Sequence, residues 1–270
     1  MTSAATWIGV LICVGPVAAD VVYSLDDGTS ETSVIVVAGS EPRPTLWLNA
    51  FDAEPGGEVI TTISVTWGRS EGGGSGVPVH APTTVLLYED DPSDDGDPRT
   101  STLLVSQVLD NGAPPESIDT GVFLDVAIPP TAVSGTFFVA ALYPDPGEGF
   151  PAPVDTTDPD WPGRSWVFSS AEDAVNVVNL GSPVNFGGLI ENPPFNLPGN
   201  WLLRASGVPA HGDADGDGDV DLLDYGAYAA CMTGPENGPP ASGCATFDFD
   251  GDTDVDMADF AAFELAFHGP

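Results

Sequence analysis

The sequence predicts an all-β sandwich, jelly-roll-like, followed by a small all-α module. Three observations predict it. From Val21 to Ala205 the chain is a series of short β-branched and aromatic runs between Gly, Pro and Asp clusters. No stretch there sustains an apolar period of 3.6 residues. Near the C-terminus, two acidic segments 35 residues apart each lead into a helix-compatible stretch.

Residues 1–19 read as a secretory signal peptide. Trp7 to Val17 is apolar but too short to span a bilayer, and Val17-Ala18-Ala19 offers small residues at a cleavage site before Asp20. Ile12 precedes Cys13, where a lipid anchor would need a small residue. The expected location is extracellular. Residues 20–206 form the expected β domain and residues 207–270 the second domain, joined through a linker at Gly207–Gly212.

In the β domain the expected strands include Ser33–Ala38, Val59–Trp67, Thr84–Tyr88, Thr102–Leu109, Val122–Ile128, Thr136–Leu142 and Trp201–Arg204. Ile63, Val65 and Trp67 alternate with Thr62, Ser64 and Thr66, a period of two that assigns one set to a core and the other to water. Two segments read as long loops, Glu71 to Pro82 and Phe150 to Gly163.

Charge narrows the partners. Residues 20–208 carry 27 acids against five arginines, and residues 209–270 carry 14 acids and no base. Such a field repels nucleic-acid phosphates and anionic membranes and favours divalent cations. The chemistry is narrowed too. The chain has no lysine, hence no Schiff base and no P-loop, and the β domain has neither a cysteine nor a histidine besides His80. Carboxylate catalysis of the glycosidase kind stays open, since it needs only two placed acids. Among tryptophans that could stack on a sugar, Trp161 stands out because Asp160-Trp161-Pro162-Gly163 is a loop context. Asp90 to Asp97 reads as a solvated hairpin turn or as a further cation site.

The acidic segments are a repeat. Residues 213–224 read DADGDGDVDLLD and residues 248–259 read DFDGDTDVDMAD. The offset aligns Asp213, Asp215, Asp217, Asp219, Asp221 and Asp224 with Asp248, Asp250, Asp252, Asp254, Asp256 and Asp259, and Val220 with Val255. Calcium takes six to eight oxygens, and a 12-residue loop supplies them from positions 1, 3, 5, 7, 9 and 12. Two calcium ions are therefore expected, with position seven giving its main-chain carbonyl and position nine acting through a water. Val220 and Val255 are expected to point inward and pair between the loops. At position six Gly218 suits a left-handed turn, whereas Thr253 opposes one. Cys231 and Cys244, in an exported chain with no histidine at zinc-ligand spacing, are expected to form a disulfide.

Only the exiting helices are supported, roughly Leu222–Met232 and Met257–Phe267. Val208–Gly212 and Gly234–Gly243, ahead of the two loops, are poor helix formers. Loop plus exiting helix, twice, with Asp at position twelve, resembles type I dockerins over residues 213–270. That resemblance implies calcium binding and docking onto a cohesin module, often in polysaccharide-degrading assemblies. The family's hydroxyl pair at positions ten and eleven is replaced here by Leu222-Leu223 and Met257-Ala258. The expected function is a secreted, non-catalytic protein whose β-sandwich binds polysaccharide or a surface. The alternatives are a carboxylate-dependent glycoside hydrolase or lyase, and a structural extracellular matrix component.

Overall fold

The structure, a computed structural model, describes residues 20–38, 41–68, 83–91, 93, 95–109, 122–144, 151–157, 163–172, 174–216, 220–235, 237–241 and 243–267. The expected signal segment, His80, Trp161, Asp217, Gly218 and Asp219 lie outside the described residues, as does most of each expected long loop. The chain divides into two compact units, one of Asp20–Pro209 and the other containing Ala210–Pro270.

Among the described residues, the regular structure of the first unit is all β. Its strands are β1 (Val21–Tyr23), β2 (Thr32–Val34), β3 (Val37–Ala38), β4 (Glu41–Pro42), β5 (Thr45–Asp52), β6 (Val59–Val65), β7 (Thr83–Glu89) and β8 (Thr102–Leu109). There follow β9 (Leu124–Ala132), β10 (Thr136–Tyr143), β11 (Ala152–Asp155), β12 (Ser165–Ser170), β13 (Asn185–Leu189), β14 (Asn200–Trp201) and β15 (Leu203–Val208). A six-stranded sheet runs β13-β12-β5-β10-β7-β8 and a four-stranded sheet β1-β15-β6-β9. Every pairing in both is antiparallel. β14-β11-β2 and β3-β4 form small additional sheets. The architecture fits a β-sandwich.

The main core lies between the two large sheets. Trp47, Phe51, Val85, Phe137 and Val139 of the six-stranded sheet meet Tyr23, Ile63, Val65, Leu203 and Ala205 of the other. Asn49, at the middle of β5, is fully buried and ties the sheets together. Its Nδ2 donates to the carbonyls of Trp201 and Leu203 at 2.9 and 3.0 Å, and its Oδ1 accepts from Ser165 Oγ at 2.8 Å. Pro129 and Pro130 sit in β9, an edge strand, where a missing N–H costs no ladder bond. Gly207 is required by close approach, because a Cβ there would stand 2.1 Å from the Gly57 carbonyl oxygen.

The outer face of the six-stranded sheet is buried as well. Leu46, Leu48, Leu86, Tyr88, Phe138, Trp166 and Phe168 pack under Val175 and Leu180. Two-sided burial departs from the expected in–out alternation. On β6 and the residues after it, Ile63, Val65 and Trp67 are buried as expected, but Ser64 and Thr66, expected to face water, are buried too. The expected linker is corrected at its start, since Gly207 and Val208 pair with Ile60 and Val59 and belong to β15.

The second unit contains α1 (Leu222–Cys231) and α2 (Met257–Ala266), with a single 3₁₀ turn at Ala245–Phe247. No helix among the described residues is long and apolar enough to cross a membrane. The small core is Val220, Tyr228, Phe247, Val255 and Phe263.

Candidate metal centre

The two acidic loops are closed by the same hydrogen bonds. Asp224 Oδ1 accepts from the N–H groups of Ala214 and Asp215 at 2.6 and 3.4 Å, and its Oδ2 from the N–H of Asp221 at 2.8 Å. Thirty-five residues on, Asp259 Oδ1 accepts from Phe249 and Asp250 at 2.7 and 3.3 Å, and its Oδ2 from Asp256 at 2.8 Å. Position twelve thus reaches back across each loop and closes it.

Position nine is a helix cap, which sequence reasoning missed by giving it only a water-mediated role. Asp221 Oδ1 accepts from Leu223 N–H at 2.6 Å and Asp256 Oδ1 from Ala258 N–H at 2.7 Å. With Asp224 and Asp259 at N3, each helix starts on a complete capping box. The D-x-x-D spacing carried that signal. After α1, Gly234 in the left-handed region and then Pro235 prevent the helix from continuing.

Backbone conformation repeats too. Gly216 and Gly251, position four of each loop, have φ of +74° and +73°, a requirement not drawn from the sequence. Thr253, at position six, has φ +75°, the left-handed geometry expected to oppose its β-branched side chain.

The carboxylates converge. Asp213, Asp215 and Asp224 bring one oxygen each to within 4.8 Å of one another, and so do Asp248, Asp250 and Asp252. A further group joins Asp254, Asp256 and Asp259. Oxygens about 2.4 Å from a common ion can be no more than about 4.8 Å apart, so each group is compact enough to share one. Asp254, at position seven, is 4 % exposed and brings a carboxylate oxygen to its group, where only its carbonyl was expected to serve. The donors are all hard oxygens, which suits calcium rather than zinc or copper.

Asp248 supplies the test of fit. Its Oδ2 accepts from Thr253 N–H at 3.1 Å, while its Oδ1 is buried without a hydrogen-bond partner. A buried carboxylate oxygen lacking a donor is costly, and a bound cation satisfies it. Partial desolvation, with the charges of Asp252, Asp259 and Asp248, pushes the Asp250 carboxyl above its ordinary range. A divalent cation reverses that repulsion.

The halves of the unit interlock. Val220 and Val255 are both buried in the one core, but the main chain of Val255 pairs with the end of α1. Its carbonyl accepts from the N–H groups of Thr233 and Gly234, and its N–H donates to Thr233 Oγ1. Ahead of the first loop, Gly212 N–H donates to both the carbonyl and the Oγ1 of Thr246. Cys231, ending α1, is disulfide-bonded to Cys244, with Cα atoms 5.5 Å apart.

The other expected sites fall differently. Trp47, Trp67, Trp166 and Trp201 are all buried, so none of them is an exposed stacking platform. Asp90 is spent within its own loop, accepting from the N–H groups of Asp91 and Gly96. Asp91, Asp95 and Asp97 cap the N–H groups of Ser93, Asp97 and Arg99. That pattern is a turn, and among the described residues no group of three acids converges there.

Comparison with protein-family models, with curated proteins and with solved structures finds no match to this chain.

Proposed function

We propose that this is a secreted, non-catalytic protein, with a calcium-folded docking module of dockerin-like design on a jelly-roll-like β-sandwich that binds polysaccharide or a surface. The observation that carries the reading is the 35-residue repetition of the bonds that close each loop and cap its helix, beside carboxylates gathered within 4.8 Å. A solvated acidic tail would have no reason to repeat its main-chain contacts.

Docking is supported by a groove of about 420 Å³ lined by Leu222, Tyr225, Phe260, Phe263, Glu264 and Phe267. Leu222 and Leu223, at positions ten and eleven, are 74 % and 68 % exposed. Apolar side chains that open to solvent on a small module are characteristic of an interaction face. A cohesin accepting this face would offer an apolar patch in place of hydroxyl-binding groups. The disulfide fits an oxidising, extracellular setting.

Asp52 and Asp97 of the sandwich fit a binding role better than they fit general-acid hydrolysis. A general acid needs a raised carboxyl, yet the side-chain hydrogen bond from Arg164 holds Asp52 below its ordinary range. Burial works against the Asp97 carboxylate, but hydrogen bonds and charge from Arg99 more than offset it.

Calorimetry on the full chain, stripped of metal and titrated with calcium, tests the reading together with far-UV circular dichroism. Two ions bound with a gain of helical signal are expected. No uptake, or a helical signal indifferent to chelator, would overturn the calcium module.

A further inference from the structure

The outer face of the six-stranded sheet is not wholly covered. The segment from Val175 to Leu180 packs over one part of it, and the turn Asp95-Gly96-Asp97 stands over another. There a cleft of about 760 Å³ opens, with Asp52, Thr136, Arg164 and Trp166 among its lining residues. That volume falls within the range of small-ligand sites, about 300–1,000 Å³.

The lining is built from compensated charges. Arg164 Nη2 contacts Asp52 Oδ2 at 2.5 Å, and Thr136 Oγ1 donates to Asp52 Oδ1 at 3.0 Å. The lining residue Asp97 is gripped from outside the lining by Arg99 through two nitrogens, Nε at 2.8 Å and Nη2 at 2.7 Å. The same guanidinium lies over the Trp166 ring, 5.6 Å from its centroid. The indole Nε1–H of Trp166 is buried without an acceptor.

Each feature narrows the ligand. Guanidinium–carboxylate pairs present donors and acceptors side by side at fixed spacing, the arrangement that neighbouring hydroxyls can meet on both sides. A hard cation is disfavoured, because Asp52, Asp95 and Asp97 do not converge as the loop carboxylates do. An anion is disfavoured by those three acids and by a formal net charge of −36. A lipid or other apolar ligand would strand the polar walls. What remains is a neutral, hydroxyl-rich molecule.

We infer that this cleft is a binding site for a neutral sugar, held by the Asp52–Arg164 pair and by Asp97, which Arg99 braces, beside Trp166. The inference rests on the polysaccharide-binding reading of the sandwich and gives it a place.

The test is calorimetry on the full chain in calcium, using neutral β-1,4-linked gluco-, xylo- and manno-tetrasaccharides, with a galacturonate tetrasaccharide as the anionic comparison. Arg164→Met and Asp97→Asn are measured beside the parent. Expected are binding of a neutral sugar and a loss of about tenfold or more in both cleft variants. The thermal midpoint identifies a variant that fails to fold, and Asp97→Asn then carries the test if Arg164→Met is lost. Binding of a neutral sugar left intact in the folded cleft variants would overturn the cleft while leaving the wider reading in place. No binding of any sugar would overturn both. Preference for the galacturonate would overturn the assignment of a neutral ligand.

Discussion

The hydroxyl of Tyr228, on the first helix, donates to the main-chain carbonyl of Asp256, the ninth residue of the second loop. Phe263, its counterpart 35 residues on, has no hydroxyl and cannot return the contact. The coupling between repeats is therefore one-sided at this point. Burial, with the charges of Asp259 and Asp256, pushes the phenol up to about 12, so it remains a donor at neutral pH. Tyr228→Phe should destabilise the unit by about 1 kcal/mol and weaken the second calcium site more than the first. Calorimetric titration of the variant checks this, and equal weakening of both sites would contradict it.

Thr253 in the left-handed region should cost about 1–2 kcal/mol. The second loop should accordingly bind about tenfold more weakly than the first. Thr253→Gly should narrow that gap, and Asp248→Ala should abolish the second site alone. Two sites of equal affinity in the parent would refute the account.

Cys231 and Cys244 close a loop with a sequence separation of 13, a constraint of about 3 kcal/mol on the unfolded chain. Thiol titration of the denatured, unreduced mature protein should find no free thiol. Reduction should then raise the calcium concentration needed to fold the helices.

Arg204 pairs with Asp26, whose side chain is wholly buried. Burial raises the Asp26 carboxyl despite the bonds and charge of Arg204, and the charge of Asp155 adds to the rise. A raised carboxyl favours the fold increasingly as pH falls and it becomes neutral. Arg204→Met should cost about 3 kcal/mol at pH 7, with the deficit relative to the parent shrinking as pH falls through the raised range of Asp26. Urea midpoints of both proteins at several pH values give the comparison.

Export is checked at the N-terminus. Mass spectrometry of secreted protein should find the chain starting at Asp20. A chain retaining Met1, or a lipid on Cys13, would contradict it.

What was legible in the sequence follows from how local each signal is. The acidic loops announce themselves because every relevant residue lies within twelve positions, and the exiting helices follow from the apolar stretches after them. β5 was missed although it is central. Its run Thr45–Asp52 is buried on both faces, so it shows no alternation, and Asn49 interrupts it for reasons that lie 152 and 154 residues away in Trp201 and Leu203. β12 was hidden the same way, with all six of its residues buried. The cleft was illegible because Asp52, Asp97 and Arg164 come from three separated segments that only the sheet order brings together.

The strand that leads into the acidic loops, β15, is bonded on both sides, to β1 and to β6. A pull on the C-terminal unit would therefore enter the sandwich along an interior strand, not peel away an edge. Bonds to two neighbours must yield before residues 203–208 come free. Fluid drag or a tethered load on that unit would be borne by the middle of a sheet, a mounting suited to holding under tension.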